Sequence, residues 1–232
     1  NEYDPLVIAD ETKQELWASK QVGKSKKKAK NKVRQRFAGT LADTRNNCTV
    51  CILGKQIEFD VQGFFQSNMD VLEKTIKAVT FNMGGENVLD MYCGAGTFSV
   101  FLADIFKKTT LVEHNRDALV HAEVNMAGKT HETYGLSGSR WVKENAPMIL
   151  EKNGPFDAVV IDPPRSGMEK EVCSWLCKNK TAQIRSISCD PATQARDASY
   201  LIKSGYKLTK LYLLDFYPQT SHIESLAYFE FV

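Results

Sequence analysis

The sequence predicts an α/β fold with a mostly parallel sheet of seven strands. Short apolar segments recur along the chain with enough residues between them for a helix, which is typical of parallel strands joined by crossover helices. Five such strands are expected at 88–91, 110–113, 140–142, 158–161 and 184–187. The last two strands, at 208–215 and 225–232, have no helix between them and are expected to pair antiparallel.

The residues before the sheet have a different pattern. A helix is expected at 11–21, and a β-hairpin is expected near 48–61, around Leu-Gly-Lys. Apolar residues at helical spacing predict a helix over 69–79. We therefore predict a basic N-terminal accessory segment at 1–62, followed by the main α/β domain at 63–232.

The positive charge is concentrated in one block. The formal net charge is +2, but nine Lys or Arg and no Asp or Glu lie from Lys20 to Arg36, so the rest of the chain is net acidic. Such a block is typical of an arm that binds nucleic acid, because each cation on a phosphate releases counterions. A solvated basic segment with no partner is the alternative, and the block alone does not choose between them.

Other classes of protein are disfavoured by composition. No apolar run reaches the roughly 18 residues of a membrane span, so we expect a cytoplasmic protein with no membrane partner. The six cysteines lack the dense spacing of a disulfide-rich secreted scaffold and are expected to be reduced. Cys48 and Cys51 have no second pair at metal-binding spacing, so no metal is expected. We also expect a monomer.

A glycine turn follows the first strand of the sheet. Gly94 and Gly96 are expected to bring backbone close to a ligand, where a Cβ would interfere. Ser99 stands where a dinucleotide-binding turn has its third glycine, which disfavours pyrophosphate. Glu113 ends the second strand, where a carboxylate can accept hydrogen bonds from a ribose. The combination suits an adenosyl ligand such as S-adenosylmethionine, although an ordinary turn remains the alternative.

Further polar residues are expected at the same edge of the sheet. Asp162 follows the strand in DAVVIDPPRSG, and the two prolines restrict the loop that holds it. Tyr92, Thr97 and Asn145 also follow predicted strands. Because ligands bind at the carboxyl edge of a parallel sheet, these side chains are candidates for binding. A simple strand-ending turn is the alternative for the Asp-Pro-Pro segment.

Cys189 lies in RSISCDPATQARD, at the end of the fifth strand. A thiol that faces the ligand edge can attack a substrate, whereas a thiol packed in the strand cannot. The position alone leaves both interpretations open.

Seven segments, in order, resemble the RNA uracil-C5 methyltransferases. They are FFQSN, VLDMYCGAGTF, LVEHN, KENA, VVIDPPRSG, ISCDPATQARD and DFYPQTSHIES, and they extend over 61–229. The resemblance implies a class I, Rossmann-like methyltransferase that makes 5-methyluridine in tRNA or ribosomal RNA with S-adenosylmethionine. Some residues around the nucleophile are closer to the ribosomal RNA members, so ribosomal RNA is slightly favoured as the partner.

The resemblance also implies roles for particular residues. Cys189 is the expected nucleophile and Glu224 the expected base, with His222 as an alternative base. The remaining matched residues are expected to line the pocket for the cofactor and the target base: Gln66, Tyr92, Thr97, Glu113, Asn145 and Asp162. The chemistry needs such groups, because C5 of uracil becomes nucleophilic only after a thiolate adds to C6, and its proton must then be removed.

The chain departs from the family pattern at one position next to the nucleophile. Asp190 stands where the family usually has Asn, and its charge is expected to raise the pKa of the Cys189 thiol. Three other functions are alternatives. A cytosine-C5 RNA methyltransferase normally has a cysteine where this chain has Arg165, a catalytically silent RNA-binding protein would need only the basic block, and a nicotinamide-dependent enzyme would need the missing glycine.

Overall fold

A computed structural model describes residues 47–231 of the 232-residue chain. From Thr49 onward these residues belong to one compact unit. The helix expected at 11–21 and the basic block at 20–36 lie outside the described residues. The domain boundary expected at residue 62 stays a prediction.

The described residues form a hairpin followed by alternating strands and helices. The strands are β1 (Asn47–Ile52), β2 (Lys55–Asp60), β3 (Gly85–Met91), β4 (Phe106–Val112), β5 (His131–Tyr134), β6 (Ala158–Ile161), β7 (Gln183–Ser188), β8 (Tyr206–Leu214) and β9 (Glu224–Phe231). The helices are α1 (Met69–Thr80), α2 (Ser99–Leu102), α3 (Arg116–Asn125), α4 (Gly138–Glu144), α5 (Ala146–Asn153), α6 (Lys170–Asn179) and α7 (Pro191–Lys203).

The larger sheet has seven strands in the order β5-β4-β3-β6-β7-β9-β8. The first five strands in this order are parallel, and β9 runs antiparallel to both of its neighbours, β7 and β8. The predicted mostly parallel sheet of seven strands is therefore confirmed, as is the antiparallel pairing of the last two strands. The hairpin expected near 48–61 is also present, as a separate two-stranded sheet.

The strand expected at 140–142 was wrong. These residues belong to α4, which begins after Ser137, whose Oγ accepts a hydrogen bond from the Arg140 backbone nitrogen. The third strand is instead β5, a half-buried strand at the edge of the sheet with the polar sequence HETY. An edge strand packs against fewer neighbours, so it lacks the apolar pattern that marks a central strand. Asn145 consequently lies between α4 and α5 rather than after a strand.

Two hydrophobic clusters cover the two faces of the sheet. Val88 belongs to one cluster and Leu89, its neighbour in β3, to the other, because successive side chains in a strand point to opposite faces. In the second cluster Trp141 is fully buried, and its ring packs edge-on against Trp175 at a centroid distance of 5.7 Å. Trp141, whose apolar character led to the strand prediction, is thus a core residue of a helix.

The Trp141→Ala variant should be strongly destabilised. Removing a fully buried indole leaves a cavity, and truncations of this kind cost about 3–5 kcal/mol of the free energy of unfolding. Urea unfolding followed by circular dichroism would measure the loss. Met148→Ala is the control, because Met148 is 54% exposed and its truncation should change the stability little. A loss of under about 1 kcal/mol in Trp141→Ala would contradict full burial of the indole in the core.

The hairpin is joined to the glycine turn through one side chain of α3. Asn125 Oδ1 accepts a hydrogen bond from the Glu58 backbone nitrogen at 2.8 Å, and Asn125 Nδ2 donates to the carbonyls of Glu58 and Ala95, each at 2.8 Å. His121 Nδ1 also lies 2.9 Å from Glu58 Oε1. The hairpin and the turn are therefore held against the same helix.

Candidate active site

A cleft of about 730 Å³ opens at the carboxyl ends of the parallel strands. Pockets of this size hold drug-sized ligands, so the cleft has room for a nucleoside cofactor together with part of a substrate. It is lined by eight of the residues selected from the sequence: Gln66, Tyr92, Gly94, Thr97, Glu113, Asp162, Cys189 and Glu224. The structure therefore brings most of the predicted site together at one edge of the sheet.

Gly94 and Gly96, the two glycines of the turn, have different surroundings. Gly94 lines the cleft with a φ of +54°, and a Cβ built on it would meet nothing within 4 Å. Gly96 has a φ of +78°, but its added Cβ would stand 3.2 Å from the Ala122 Cβ of α3. Gly96 therefore lies close against α3, and a larger residue there would have to displace Ala122 slightly. Its role in binding the cofactor stays a prediction.

Glu113 is placed by the end of β4. Its Oε2 accepts a hydrogen bond from the Gly94 nitrogen at 3.0 Å, and its Oε1 accepts one from the Asn115 nitrogen at 2.7 Å. The carboxylate is 7% exposed and lines the cleft. It therefore orders the glycine turn and remains available to accept hydrogen bonds from a ligand.

A buried pair beneath the turn explains Ser99. Asp90 is fully buried in β3, and its Oδ2 accepts a hydrogen bond from Ser99 Oγ at 2.5 Å. Burial raises the pKa of Asp90 to about 7, although the hydrogen bonds from Ser99 oppose this increase. The serine at the position of a third glycine therefore supports a buried carboxyl group.

Asn145 does not line the cleft. The resemblance implies that it lines the cofactor pocket, and it was also expected to follow a strand that is absent from this place in the described fold. The residue instead joins α4 to α5, where its Oδ1 is buried without a hydrogen-bond partner. The role of Asn145 in binding the cofactor stays a prediction.

The nucleophile candidate follows β7 directly. Cys189 is half-buried and lines the cleft. Burial raises the pKa of its thiol, and the carboxylates of Glu224 and Asp162 raise it further, while Arg165 lowers it. Asp190 was expected to cause this increase, but its Oδ1 caps α7 by accepting hydrogen bonds from Ala192 and Thr193 nitrogens.

The base candidate reaches the cleft through the antiparallel part of the sheet. Glu224 begins β9, and its neighbour Ser225 lies opposite Ser188, the last residue of β7. Glu224 is 5% exposed, and burial raises the pKa of its carboxyl group although a hydrogen bond from Gln66 Nε2 lowers it. His222, the alternative base, is exposed and does not line the cleft.

Asp162 and Gln66 complete the polar wall of the cleft. Burial raises the pKa of Asp162 to about 7, with further increases from Glu224 and Asp90. Gln66 Nε2 donates to Glu224 Oε2 at 3.4 Å, but Gln66 Oε1 is buried without a partner. An unpaired buried acceptor costs free energy, so a ligand that donates a hydrogen bond there would be favoured.

Sequence reasoning gave two lining residues no role in the site. Arg165 lines the cleft and is the cation that lowers the pKa of the Cys189 thiol. Phe64 is 73% exposed at the same cleft. The signal for Arg165 was its place after Asp-Pro-Pro, and the signal for Phe64 was its place before Gln66. The position of Arg165 or Phe64 in the sequence does not show whether its side chain points into the cleft.

The Glu224→Gln variant should have a more acidic Cys189 thiol. Glu224 is the largest charge that raises this pKa, so its neutralisation lowers the pKa and increases the thiolate fraction at a given pH. The rate of alkylation of Cys189 by iodoacetamide, followed by peptide mass spectrometry across pH, should rise at lower pH than in the wild type. Glu230→Gln changes the same group farther along β9 and should leave the profile in place. An unshifted profile in Glu224→Gln would refute the coupling.

Comparison with known proteins gives the family. The family model described as tRNA (uracil-5-)-methyltransferase matches residues 47–231. The chain belongs to this family. It is 44% identical over 204 residues to an uncharacterized RNA methyltransferase of Treponema denticola, covering 81% of this chain and 49% of that protein.

Two further relatives of the chain have more specific names. The 23S rRNA (uracil(1939)-C(5))-methyltransferase RlmD of Photobacterium profundum is 34% identical over 176 residues, covering 75% of this chain and 37% of that protein. The solved structure of Pyrococcus abyssi tRNA (uracil-54, C5)-methyltransferase with S-adenosyl-L-homocysteine superposes with a TM-score of 0.69 at 27% identity, covering 80% of this chain and 44% of that one.

The chain thus spans about half or less of the length of these relatives. The superposition confirms the class I methyltransferase fold. No helix among the described residues combines the length and the apolar character that a membrane crossing requires. Within 47–231 no three or more His, Cys, Asp or Glu side chains are grouped so that they could hold a metal ion.

Proposed function

We propose that this chain transfers a methyl group from S-adenosylmethionine to C5 of a uridine in RNA. The observation that carries the proposal is the position of Cys189 and Glu224 in the same cleft as the glycine turn and Glu113. This arrangement supplies a nucleophile, a base and a nucleoside site within one cavity. The names of the relatives support RNA as the substrate.

The cleft fits the cofactor by its own geometry. Gly94 leaves open space beside backbone in the left-handed region, and Glu113 offers carboxylate oxygens at the strand end, where ribose hydroxyls can donate to them. Tyr92 and Thr97 line the same cleft, and the unpaired Gln66 Oε1 can accept a further hydrogen bond from the cofactor. When bound, S-adenosylmethionine supplies an electrophilic methyl group on its sulfonium.

The Glu113→Ala variant should bind the cofactor roughly tenfold or more weakly, because a hydrogen bond to a charged group is worth about 1.5–3 kcal/mol. Loss of the carboxylate also releases the Gly94 nitrogen and so loosens the turn. Titration calorimetry with S-adenosylhomocysteine would measure the affinity. Glu86→Ala removes a carboxylate from the exposed start of β3 and should bind normally. Equal affinities in the two variants would remove Glu113 from the site.

The chemistry follows from the two catalytic residues. The Cys189 thiolate adds to C6 of the uracil ring, which gives C5 the character of an enolate carbon. That carbon would then take the methyl group of the bound cofactor, whose sulfonium would leave as a neutral thioether. Glu224 accepts the C5 proton, and the electron pair of the C5–H bond forms the C5–C6 double bond as the bond from C6 to Sγ breaks and releases the Cys189 thiolate. Burial of Glu224 suits this role, because a carboxylate with a raised pKa is a stronger base. The uridine must leave its stack to reach Cys189.

We propose ribosomal RNA ahead of tRNA as the substrate. The support is the 34% identity to a protein named as a 23S rRNA methyltransferase, compared with 27% to the tRNA enzyme of known structure. An enzyme that acts on ribosomal RNA works where that RNA is found, so we place the protein in the cytoplasm. Binding of RNA by the basic block stays a prediction, as does the monomeric state.

Mapping of the modified nucleoside tests the function. The protein would be incubated with unmodified total RNA and cofactor labelled in its methyl group, and the digested RNA analysed by mass spectrometry. Labelled 5-methyluridine is expected. Labelled 5-methylcytidine would support the cytosine alternative, which Arg165 disfavours. No labelled nucleoside would favour a silent RNA-binding protein.

A further inference from the structure

Tyr92 enters the cleft on an unusual backbone. Its φ is +65°, in the left-handed region that residues with a Cβ rarely adopt. Its backbone nitrogen donates to the Val112 carbonyl at 2.8 Å. Such strain persists only where the surroundings hold the residue in place.

The carboxylate of Glu169 holds the far end of the Tyr92 side chain. The Tyr92 hydroxyl donates to Glu169 Oε2 at 3.2 Å, and the same oxygen accepts from the Ser139 backbone nitrogen at 2.9 Å. Ser139 Oγ donates to Glu169 Oε1 at 3.0 Å. Three donors from two other segments therefore converge on one carboxylate.

The position of Glu169 makes this arrangement notable. Glu169 occupies the N-cap of α6, yet its side chain makes no capping hydrogen bond to that helix. The carboxylate instead accepts hydrogen bonds from Ser139 at the start of α4 and from Tyr92 in the glycine turn. Its neighbour Met168 is held by a hydrogen bond from the Met168 nitrogen to Asp197 Oδ2 at 2.8 Å, and Asp197 belongs to α7, the helix that follows Cys189.

Gly138 shows how closely the three groups are packed. A Cβ built on Gly138 would stand 2.6 Å from Glu169 Oε2 and 3.1 Å from the Tyr92 hydroxyl. Since real Cβ atoms do not approach other heavy atoms within 3.0 Å, even alanine would force the carboxylate to move. The space around the hydrogen bond between Tyr92 and Glu169 is therefore filled.

We infer that Glu169 is a positioning residue that fixes the ring of Tyr92 against the bound cofactor and so sets the affinity of the cleft for it. The inference rests on the proposed function, because it takes S-adenosylmethionine as the ligand beside Tyr92. Glu169 itself does not touch the reacting atoms. It acts through the hydroxyl of Tyr92, and the Ser139 backbone nitrogen holds Oε2, the carboxylate oxygen that this hydroxyl contacts.

Binding of S-adenosylhomocysteine, measured by calorimetry without RNA, tests the inference. Glu169→Ala should bind roughly tenfold more weakly, because the cofactor must then order a Tyr92 ring that has lost its charged hydrogen-bond partner. Tyr92→Phe should show a similar loss, and the double variant should lose no more than either single variant, because the residues act as one unit. Glu169→Gln should keep most of the affinity, since its amide can accept from Tyr92 and donate to Ser139 Oγ.

Ser139→Ala is the matched control. It removes one hydrogen bond from the same carboxylate but leaves the Tyr92 contact, so it should lower the melting temperature while preserving affinity. A merely structural Glu169 would lower the melting temperature of Glu169→Ala without changing its affinity, and that result would overturn the inference. Unchanged affinity in Tyr92→Phe would overturn it even if Glu169→Ala did not fold. Absence of binding by the wild type would overturn the proposed function, and this inference with it.

Discussion

Cys189→Ala is expected to abolish methylation of RNA, with a loss of rate on the order of 10⁴-fold or more. The reason is chemical, because without addition of the thiolate at C6 the uracil C5 is a poor nucleophile. Cys93, the other thiol that lines the cleft, is buried in the glycine turn. Single-turnover assays with RNA and labelled cofactor would measure the rate. The affinity for S-adenosylhomocysteine should be unchanged, since Cys189 is not among the residues proposed to hold it.

Cys177→Ala provides the matched control. Cys177 is a half-buried thiol of α6 whose Sγ donates to the Tyr200 carbonyl, and it does not line the cleft. This variant should methylate RNA at the rate of the wild type. Substantial methylation by Cys189→Ala would eliminate the covalent mechanism while leaving methyl transfer itself intact.

Glu224→Gln is expected to trap a covalent complex between the protein and its RNA. The amide cannot accept the C5 proton, so the thiolate cannot be eliminated after methyl transfer and Sγ stays bonded to C6. Denaturing electrophoresis should show a complex that survives heating in detergent, and mass spectrometry should place a methylated nucleotide on Cys189. Turnover should fall by about 10²–10⁴-fold, the usual contribution of a general base.

Two controls make the trapping experiment specific. Glu230→Gln makes the same chemical change near the other end of β9, away from the cleft, and should turn over without accumulating the complex. Adding Cys189→Ala to Glu224→Gln should remove the complex altogether. Normal turnover by Glu224→Gln would show that another group takes the proton, and Glu224 would then lose its role as the base.

The central strands were predictable from sequence because burial on both faces leaves a local apolar pattern. β6 was expected at 158–161 and occupies Ala158–Ile161. The edge strand β5 lacks this pattern, and the apolar Trp141 nearby was therefore assigned to a strand although it packs in the core from a helix. A short run of apolar residues indicates that a segment is buried, but it does not show whether that segment is a helix or a strand.

Part of the site was predictable for a related reason. Parallel strands all end at the same edge, so Gly94, Glu113 and Asp162, which follow or end such strands, meet in one cleft. Spacing could not tell that Gly96 packs against α3, nor that Asn145 lies between two helices. Both features depend on how distant elements pack, which spacing along the chain does not report.

The sequence by itself determined the alternation of parallel strands and helices, the family and the chemical groups available for catalysis. Only the tertiary structure decided that β9 lies beside β7, with Ser225 opposite Ser188, so that Glu224 reaches the cleft of Cys189. It also decided that Glu169 meets Tyr92, 77 positions away in the chain. The reason is physical: the secondary-structure pattern depends on neighbouring residues, whereas strand register, burial and the pKa values that follow from them depend on which distant segments the folded chain brings together.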